Sequence, residues 1–420
     1  MCVNFESMEQ RIIDNEWSFV GVNTKEFTHC YHNYPAMMIP QIARRLIKEY
    51  APKNTKFIFD PYCGTGTTLL EAKLVNINST GTDLNPLAQL IARTKVQNYD
   101  IDKIIDSKNL LSEESFKFSF NLINNIDLFQ FKNINYWFSE NVIKEISFLL
   151  NIINSKVDDN LQDFFLVALS ETLREVSYTR NGEFKLYRIP KEKIKNHKPD
   201  TFGLFFNKLN RNIQGLKDLI KTETNTTTNI LNFNTCKENP EKYVNRKIDF
   251  VLTSPPYGDS RTTVAYGQFS RLSNQWLGIK EASNIDNILM GGSRNHKELE
   301  FNSKYAQKEL DKIKNIDIKR YNEVKEFLID YKNSINNVSI SVRKQGRIAY
   351  VVGNRTVKNV QIPLDYITVE LFEKNGFSHL KTIVREIPNK RMPKENSPTN
   401  KTGVKSKTMN NEYIVIMEKQ

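Results

Sequence analysis

Residues 56–60 (KFIFD), an apolar run ending in an acid, lead into a glycine-containing turn and then a helical pattern over residues 67–75. Strand, loop and helix in that order leave few folds open. The connecting loop, Asp60-Pro61-Tyr62-Cys63-Gly64-Thr65-Gly66-Thr67-Thr68, carries two glycines. Glycine lets a backbone approach a ligand, and the amides at the following helix N-terminus face it. A second unit comes next: a short strand over residues 77–83, then Pro86 where proline is favoured, in the first turn of a helix. Two β-α units in succession predict a parallel sheet.

The regularity breaks over residues 98–229, where the signals are mostly helical. Val142, Ile143, Ile146, Leu149, Leu150 and Ile153 mark one apolar face, and residues 164–176 read as a further helix. The sheet pattern resumes at residues 229–233, 248–253 (IDFVLT) and 347–352 (RIAYVV), and residues 380–386 and 413–417 flank a loop rich in Lys, Pro and Asn. These seven strand candidates with helices between them predict a doubly wound α/β fold. No repeat of about 20–50 residues points to a solenoid. The expected organisation is a first half over residues 1–97, a helical insertion over 98–228 and a second half over 229–420.

Three ligands compete for the glycine loop. A phosphate-binding loop would place Lys just before the helical Ser or Thr, and none stands there. A dinucleotide fold would want a third glycine where Leu69 stands. S-adenosylmethionine remains, its methionine part against Gly64 and Gly66 and its ribose hydroxyls on an acid at the end of the next strand. Asp83 stands there, at the spacing of about 20 residues that such units use. The bland alternative is a tight turn followed by an ordinary helix cap.

The strand at 248–253 runs straight into Ser254-Pro255-Pro256-Tyr257. Two prolines fix the chain as it leaves the sheet and offer no amide donors, so the carbonyls there can accept. An exocyclic amine conjugated to its ring is a poor nucleophile. Acceptors such as the Ser254 hydroxyl and the Pro255 carbonyl can take its hydrogens and aim its lone pair, and Tyr257 can stack on the base. Such a base must leave its duplex. A rigid surface turn is the competing explanation for an isolated Pro-Pro-Tyr.

Composition agrees with a polyanionic partner. In 420 residues, 60 Lys and Arg against 48 Asp and Glu give a net charge of +12. Cys2, Cys30, Cys63 and Cys236 are scattered without zinc or disulfide spacing, and no ligand cluster accompanies His29 and His32, so no metal is expected. Residues 1–15 lack a secretory apolar run and no segment has the length to span a bilayer. A soluble, cytoplasmic protein without membrane contact is the expectation.

Taken together, the glycine loop, Ser254 to Tyr257 and the block His32-Asn33-Tyr34-Pro35-Ala36-Met37-Met38-Ile39-Pro40 resemble the DNA amino-methyltransferases, the N4-cytosine and N6-adenine enzymes of restriction-modification systems. The resemblance implies a Rossmann-like class I fold: a mixed seven-stranded sheet with a hairpin at its edge and helices on both faces. It implies S-adenosyl-L-methionine held by Tyr34, Pro35, Asp60, Tyr62, Cys63, Gly64, Gly66, Thr67, Thr68 and Asp83, with Ser254, Pro255, Pro256 and Tyr257 around a flipped base. Ser before Pro-Pro is typical of the N4-cytosine branch, Asp or Asn of the adenine enzymes, so Ser254 points to cytosine. Where the family often carries an acid near the third strand, this chain has Asn234, whose amide can substitute. The long insertion between the second and third strands departs from the standard motif orders.

Double-stranded DNA and a cognate restriction endonuclease are the implied partners. For DNA contacts, Arg180, Lys185 and Arg188 lie in a basic and aromatic stretch around Asn181-Gly182. Arg261, Tyr266 and Arg271 follow the Ser-Pro-Pro-Tyr segment, and Lys390 and Arg391 lie in the loop before the last strand. Adenine N6 methylation, methylation of an RNA base amine, and an idle nucleic-acid binder that kept the fold are the alternatives.

Overall fold

The computed structural model describes residues 11–123, 126–259, 263–292, 300–387, 395–396, 406–407 and 410–420. Its main sheet has eight strands: β1 (Arg11–Ile13), β2 (Phe57–Asp60), β3 (Asn78–Thr82), β4 (Thr228–Leu231), β5 (Ile248–Thr253), β6 (Val342–Val352), β7 (Phe377–Glu386) and β8 (Asn411–Lys419). Their order is β1-β7-β8-β6-β5-β2-β3-β4. Only β8 runs antiparallel to its neighbours, between β6 and β7. All seven strands expected from the sequence are there, but the expected count of seven is corrected to eight, because β1 pairs in parallel with the outer edge of β7. Three residues are too few to show a period. What anchors β1 is distant in sequence: the Arg11 guanidinium reaches the Tyr366 hydroxyl at 2.6 Å and Asp365 at 2.5 Å.

Strands β2, β5, β6 and β8 carry apolar residues on both faces, as strands covered on both sides commonly do, whereas β3 (NSTGT) is polar. In β2, Phe57 and Phe59 face one core while Ile58 faces the other. Val251 of β5, Ile348 and Tyr350 of β6, and Val415 and Met417 of β8 join the first pair; Phe250, Leu252, Ala349, Val351, Ile414 and Ile416 join Ile58. Among the helices that pack around this sheet are α1 (Pro40–Tyr50), α2 (Thr67–Leu74), α3 (Pro86–Val96), α4 (Ile101–Ser119), α5 (Glu140–Lys156), α6 (Asp159–Val176), α7 (Thr201–Ile220), α8 (Tyr266–Trp276), α9 (Ile318–Ser341) and α10 (Leu364–Glu373). Helix α1 covers one face through Ile42, Ala43, Leu46 and Ile47. Helices α9 and α10 cover the other, through residues such as Phe327, Leu328, Ile335, Ile367 and Leu371.

Helices α4 to α7 bury Ile146, Leu149, Phe164, Ala168, Phe205 and Leu209 in a third core shared with Leu87 and Ile91 of α3 and Trp276 of α8. The same helices grip the chain ahead of α1. Arg211 of α7 donates to the Tyr31 carbonyl at 2.9 Å and to Glu171 of α6 at 2.6 Å, and Glu171 accepts the Asn33 amide at 3.1 Å. The helical layer thus fixes residues 31–36, which form one wall of the central cleft.

Gly81 shows how tightly β3 is fitted under the glycine loop. A Cβ there would lie 2.5 Å from Cys63 Cβ and 2.9 Å from Leu69 Cδ1. Gly81→Ala must therefore push the loop or α2 away, and overpacking of this kind costs about 1–3 kcal/mol. We expect a lower urea midpoint with an unchanged slope; a midpoint equal to that of the parent would contradict the contact.

Candidate active site

From β2 the chain builds outward through β3 to β4, then returns to the other side of β2 as β5. The strand order reverses between β2 and β5, and in open α/β sheets the crevice beyond the carboxyl ends at such a point is where ligands bind. Both sequence motifs leave the sheet there. The register Ile58↔Phe250 and Phe59↔Val251 puts Asp60 beside Thr253, and the Thr253 hydroxyl donates to Asp60 Oδ1 at 2.6 Å. The same oxygen accepts the Tyr62 amide at 3.0 Å, which turns the loop sharply out of the strand.

Gly64 and Gly66 both adopt positive φ, 49° and 77°, a region that glycine enters without penalty. Gly66 lies close under α3, where a Cβ would sit 3.1 Å from Ala92 Cβ. At Gly64 a Cβ would meet nothing within 4 Å. Asp83 holds the loop from the other side: its Oδ2 accepts the Gly64 amide at 3.1 Å and its Oδ1 the Asn85 amide at 2.8 Å. Asn85 caps α3 through the Leu87 amide and donates to the Tyr34 hydroxyl at 2.8 Å and to Ser270 at 3.0 Å. This one side chain joins the front wall, the second β-α turn and α8.

The cleft, taken together with the open solvent at its mouth, spans about 990 Å³. Of the residues expected at the cofactor, Tyr34, Pro35, Asp60, Tyr62, Cys63, Gly64, Thr67, Thr68, Asp83 and Asn234 line it; of those expected at the base, Ser254 and Pro256 do. Gly66, Pro255 and Tyr257 are not among its lining residues. Asn234 Oδ1 accepts the Cys236 amide at 2.9 Å, which shapes the turn after β4. Lining residues that sequence inspection did not single out include Met290, Phe233 and Thr235. The Tyr62 hydroxyl meets Ser334 of α9, and Thr235 bonds the same serine at 2.8 Å. No local pattern announces such a contact, because α9 lies far away in the sequence.

Ser254 Oγ lies 3.1 Å from the Tyr257 hydroxyl, which donates to Glu412 Oε1 of β8 at 3.0 Å. Among the residues expected to touch DNA, Tyr266 lines the cleft and stacks on Tyr34 with ring centroids 6.0 Å apart. The hairpin-like stretch closed by the Thr179↔Arg188 bridge docks on α8, the Leu186 amide donating to Gln268 at 3.3 Å. Arg180 at its tip is exposed and pairs with Glu183. Lys185 is half-buried, and Arg188 lies 4.2 Å over the Tyr136 ring. Arg271 is half-buried on α8. Arg261, Lys390 and Arg391 lie outside the described residues.

Residues 6–93 match the DNA methylase family N6_N4_Mtase. The type II methyltransferase M.MvaI of Kocuria varians is 38% identical over 436 residues, covering 98% of this chain and 96% of that protein. The chain belongs to the type II DNA amino-methyltransferases. A second relative, the type II methyltransferase M.MjaII of Methanocaldococcus jannaschii, is 25% identical over 58% of this chain and 62% of its own length. A tRNA (guanine(10)-N2)-dimethyltransferase of the same archaeon is 25% identical over 37% of this chain and 43% of its own.

As a DNA amino-methyltransferase of restriction-modification type, the protein has the Rossmann-like class I fold and uses S-adenosyl-L-methionine. The cleft fits that cofactor: open space before the Gly64 backbone, two carboxylates on its floor for a cationic and hydroxyl-bearing ligand, and apolar walls from Met37, Met38 and Phe233.

Burial pushes both Asp60 and Asp83 up from the ordinary 3.8 to about 6, against the hydrogen bonds they accept. Each acid therefore holds a proton more readily in the folded chain than in the unfolded one. Their contribution to stability falls as pH rises from about 4 to about 6 and is level above that. Asp83→Asn removes one of these titrations. Its unfolding free energy relative to the parent should shift in the variant's favour between about pH 4.5 and about pH 7.5, checked by urea melts at both; a pH-independent difference would contradict the raised value.

Proposed function

We propose that the protein methylates N4 of cytosine in double-stranded DNA, at one short recurring sequence, with the base flipped into the cleft. The observation that carries this reading is Ser254: a hydroxyl lining the cleft at the end of β5, beside the glycine loop, where adenine enzymes typically carry Asp or Asn. When bound, S-adenosylmethionine supplies a methyl group on a positively charged sulfur. Asp83 holds the ribose hydroxyls, Gly64 and Gly66 let the methionine part approach the backbone, and Tyr34, Pro35, Tyr62, Cys63, Thr67, Thr68 and Asn234 complete its pocket. Asp60 fixes the loop and lends negative charge. Ser254 and the Pro255 carbonyl accept the hydrogens of the target amine, drawing its lone pair out of conjugation, while Pro256 and the Tyr257 ring confine the base. Transfer is direct, with no covalent bond to the enzyme.

The stretch around Arg180, Lys185 and Arg188, docked on α8 beside Tyr266 and Arg271, supports a DNA-reading role for residues 98–228 together with α8. Cations there favour phosphates, and aromatic side chains favour unstacked bases. Arg261, Lys390 and Arg391 extend the same proposal along the chain. A cognate restriction endonuclease is the partner that such an enzyme would protect against.

Expression in a host without DNA methylation, followed by sequencing that distinguishes modified bases, tests the target. We expect N4-methylcytosine at a single motif, lost in Ser254→Ala. N6-methyladenine would move the target atom to the other branch, and unmodified DNA would redirect the search to RNA. By calorimetry, Asp83→Ala should weaken binding of S-adenosylhomocysteine at least about ten-fold, the loss expected for a buried charged hydrogen bond, while Ser254→Ala leaves it unchanged.

A further inference from the structure

A hydroxyl can donate or accept, and which it does at Ser254 decides whether it can pull hydrogens from an amine. The geometry around it settles the direction. A Glu412 carboxylate has only acceptors, so the bond of 3.0 Å between it and Tyr257 uses the single phenolic proton. Burial, with the neighbouring Glu412 charge, holds the Tyr257 hydroxyl protonated well above the usual phenol range. The Tyr257 oxygen is then left with lone pairs only. Across the 3.1 Å contact it must accept, and Ser254 must donate. With its proton committed away from the cleft, the Ser254 oxygen has only lone pairs left to offer a ligand.

We propose that Glu412, a residue of the last strand, is a positioning residue for methyl transfer: acting through Tyr257, it fixes Ser254 as a hydrogen-bond acceptor toward the target amine. This rests on the assignment of Ser254 to the amine. Glu412 is itself held in place. It stands opposite Arg385 in the β7–β8 register, and the two form an ion pair at 3.5 Å. Arg385 is 2% exposed, and among the described residues its Nε and Nη1 have no hydrogen bond. An almost buried guanidinium thus lies against the carboxylate. Because a carboxylate can only accept, the two hydrogen bonds of the row run from Tyr257 to Glu412 and from Ser254 to Tyr257.

A glutamine at 412 can present either its amide oxygen or its amide nitrogen to Tyr257, so the direction is no longer enforced. Tyr257→Phe keeps the ring and the Glu412–Arg385 pair but removes the relay. The experiment uses the full chain, tritiated S-adenosylmethionine, DNA from a methylation-free host, single-turnover rates, calorimetric affinity for S-adenosylhomocysteine and melting temperature. Glu412→Gln and Tyr257→Phe should each slow methyl transfer on the order of ten-fold, the worth of about one hydrogen bond in the transition state, with cofactor affinity unchanged. The double variant should be no slower than either alone, because both act on one row. Losses that multiply, or a parental rate in Tyr257→Phe, would overturn the proposal; so would a slowing matched by loss of cofactor affinity. Should Glu412→Gln fail to fold with Arg385 left unpaired, the neutral pair Glu412→Gln with Arg385→Gln takes its place in the cycle. Ser254→Ala in the same assay separates the two levels: a parental rate there defeats the assignment of Ser254, whereas a slow Ser254→Ala beside multiplying losses defeats only the role of Glu412.

Discussion

The bond from the Thr253 hydroxyl to Asp60, 2.6 Å long and buried, joins the ends of two adjacent parallel strands. One of those strands opens into the glycine loop and the other into Ser-Pro-Pro-Tyr. Methyl transfer needs a cofactor and a nucleophile at fixed separation, and in the proposed site that separation is set by neighbouring strands of one sheet. A second tie, from the Thr68 hydroxyl to the Leu252 carbonyl at 3.3 Å, fastens the start of α2 to the same strand. Rigid elements hold a site more accurately than loops do, and each motif leaves a strand whose side chains fill both cores.

The front of the cleft depends on a different kind of contact. Residues 31–36 have no strand or α-helix of their own to hold Tyr34. They are pinned by Arg211 and Glu171 from the helical layer, and Tyr34 is oriented by Asn85 and stacked on Tyr266. Helices far from the sheet in sequence thereby set one wall of the pocket, and the hairpin-like stretch they carry docks on α8 beside that wall. A change in how those helices pack would be felt in the pocket through Glu171 and Arg211.

Period and punctuation made the sheet legible in the sequence. KFIFD, IDFVLT, RIAYVV and YIVIM are apolar because both faces are covered, and glycine or proline ends most of them. The glycine loop and Asp83 were legible because their geometry is local: a positive φ at Gly64 and Gly66, and an acid at the end of the next strand. Strand β1 was hidden because three residues carry no period and its anchor is Arg11 reaching α10. Glu412 was hidden for a related reason. On β8 it reads as a polar strand residue, and only the antiparallel return of that strand between β6 and β7 brings it to Tyr257, 155 residues away. Sequence patterns report what a residue does for its own element, and contacts made by topology leave no such trace.

The electrostatics of the cleft follow from the same packing. Burial raises both Asp60 and Asp83, and the Asp83 charge further opposes the ionisation of Asp60. Two carboxylates held this way are a cost in the empty protein, one that a cationic ligand relieves. S-adenosylmethionine carries a positive sulfur and an ammonium group, and its product lacks the sulfur charge. In the cofactor placement proposed above, the acids favour the charged cofactor over the spent one, a preference that neutral hydrogen-bonding groups in the same positions could not supply. Binding energy gained in this way also stabilises the fold by mass action.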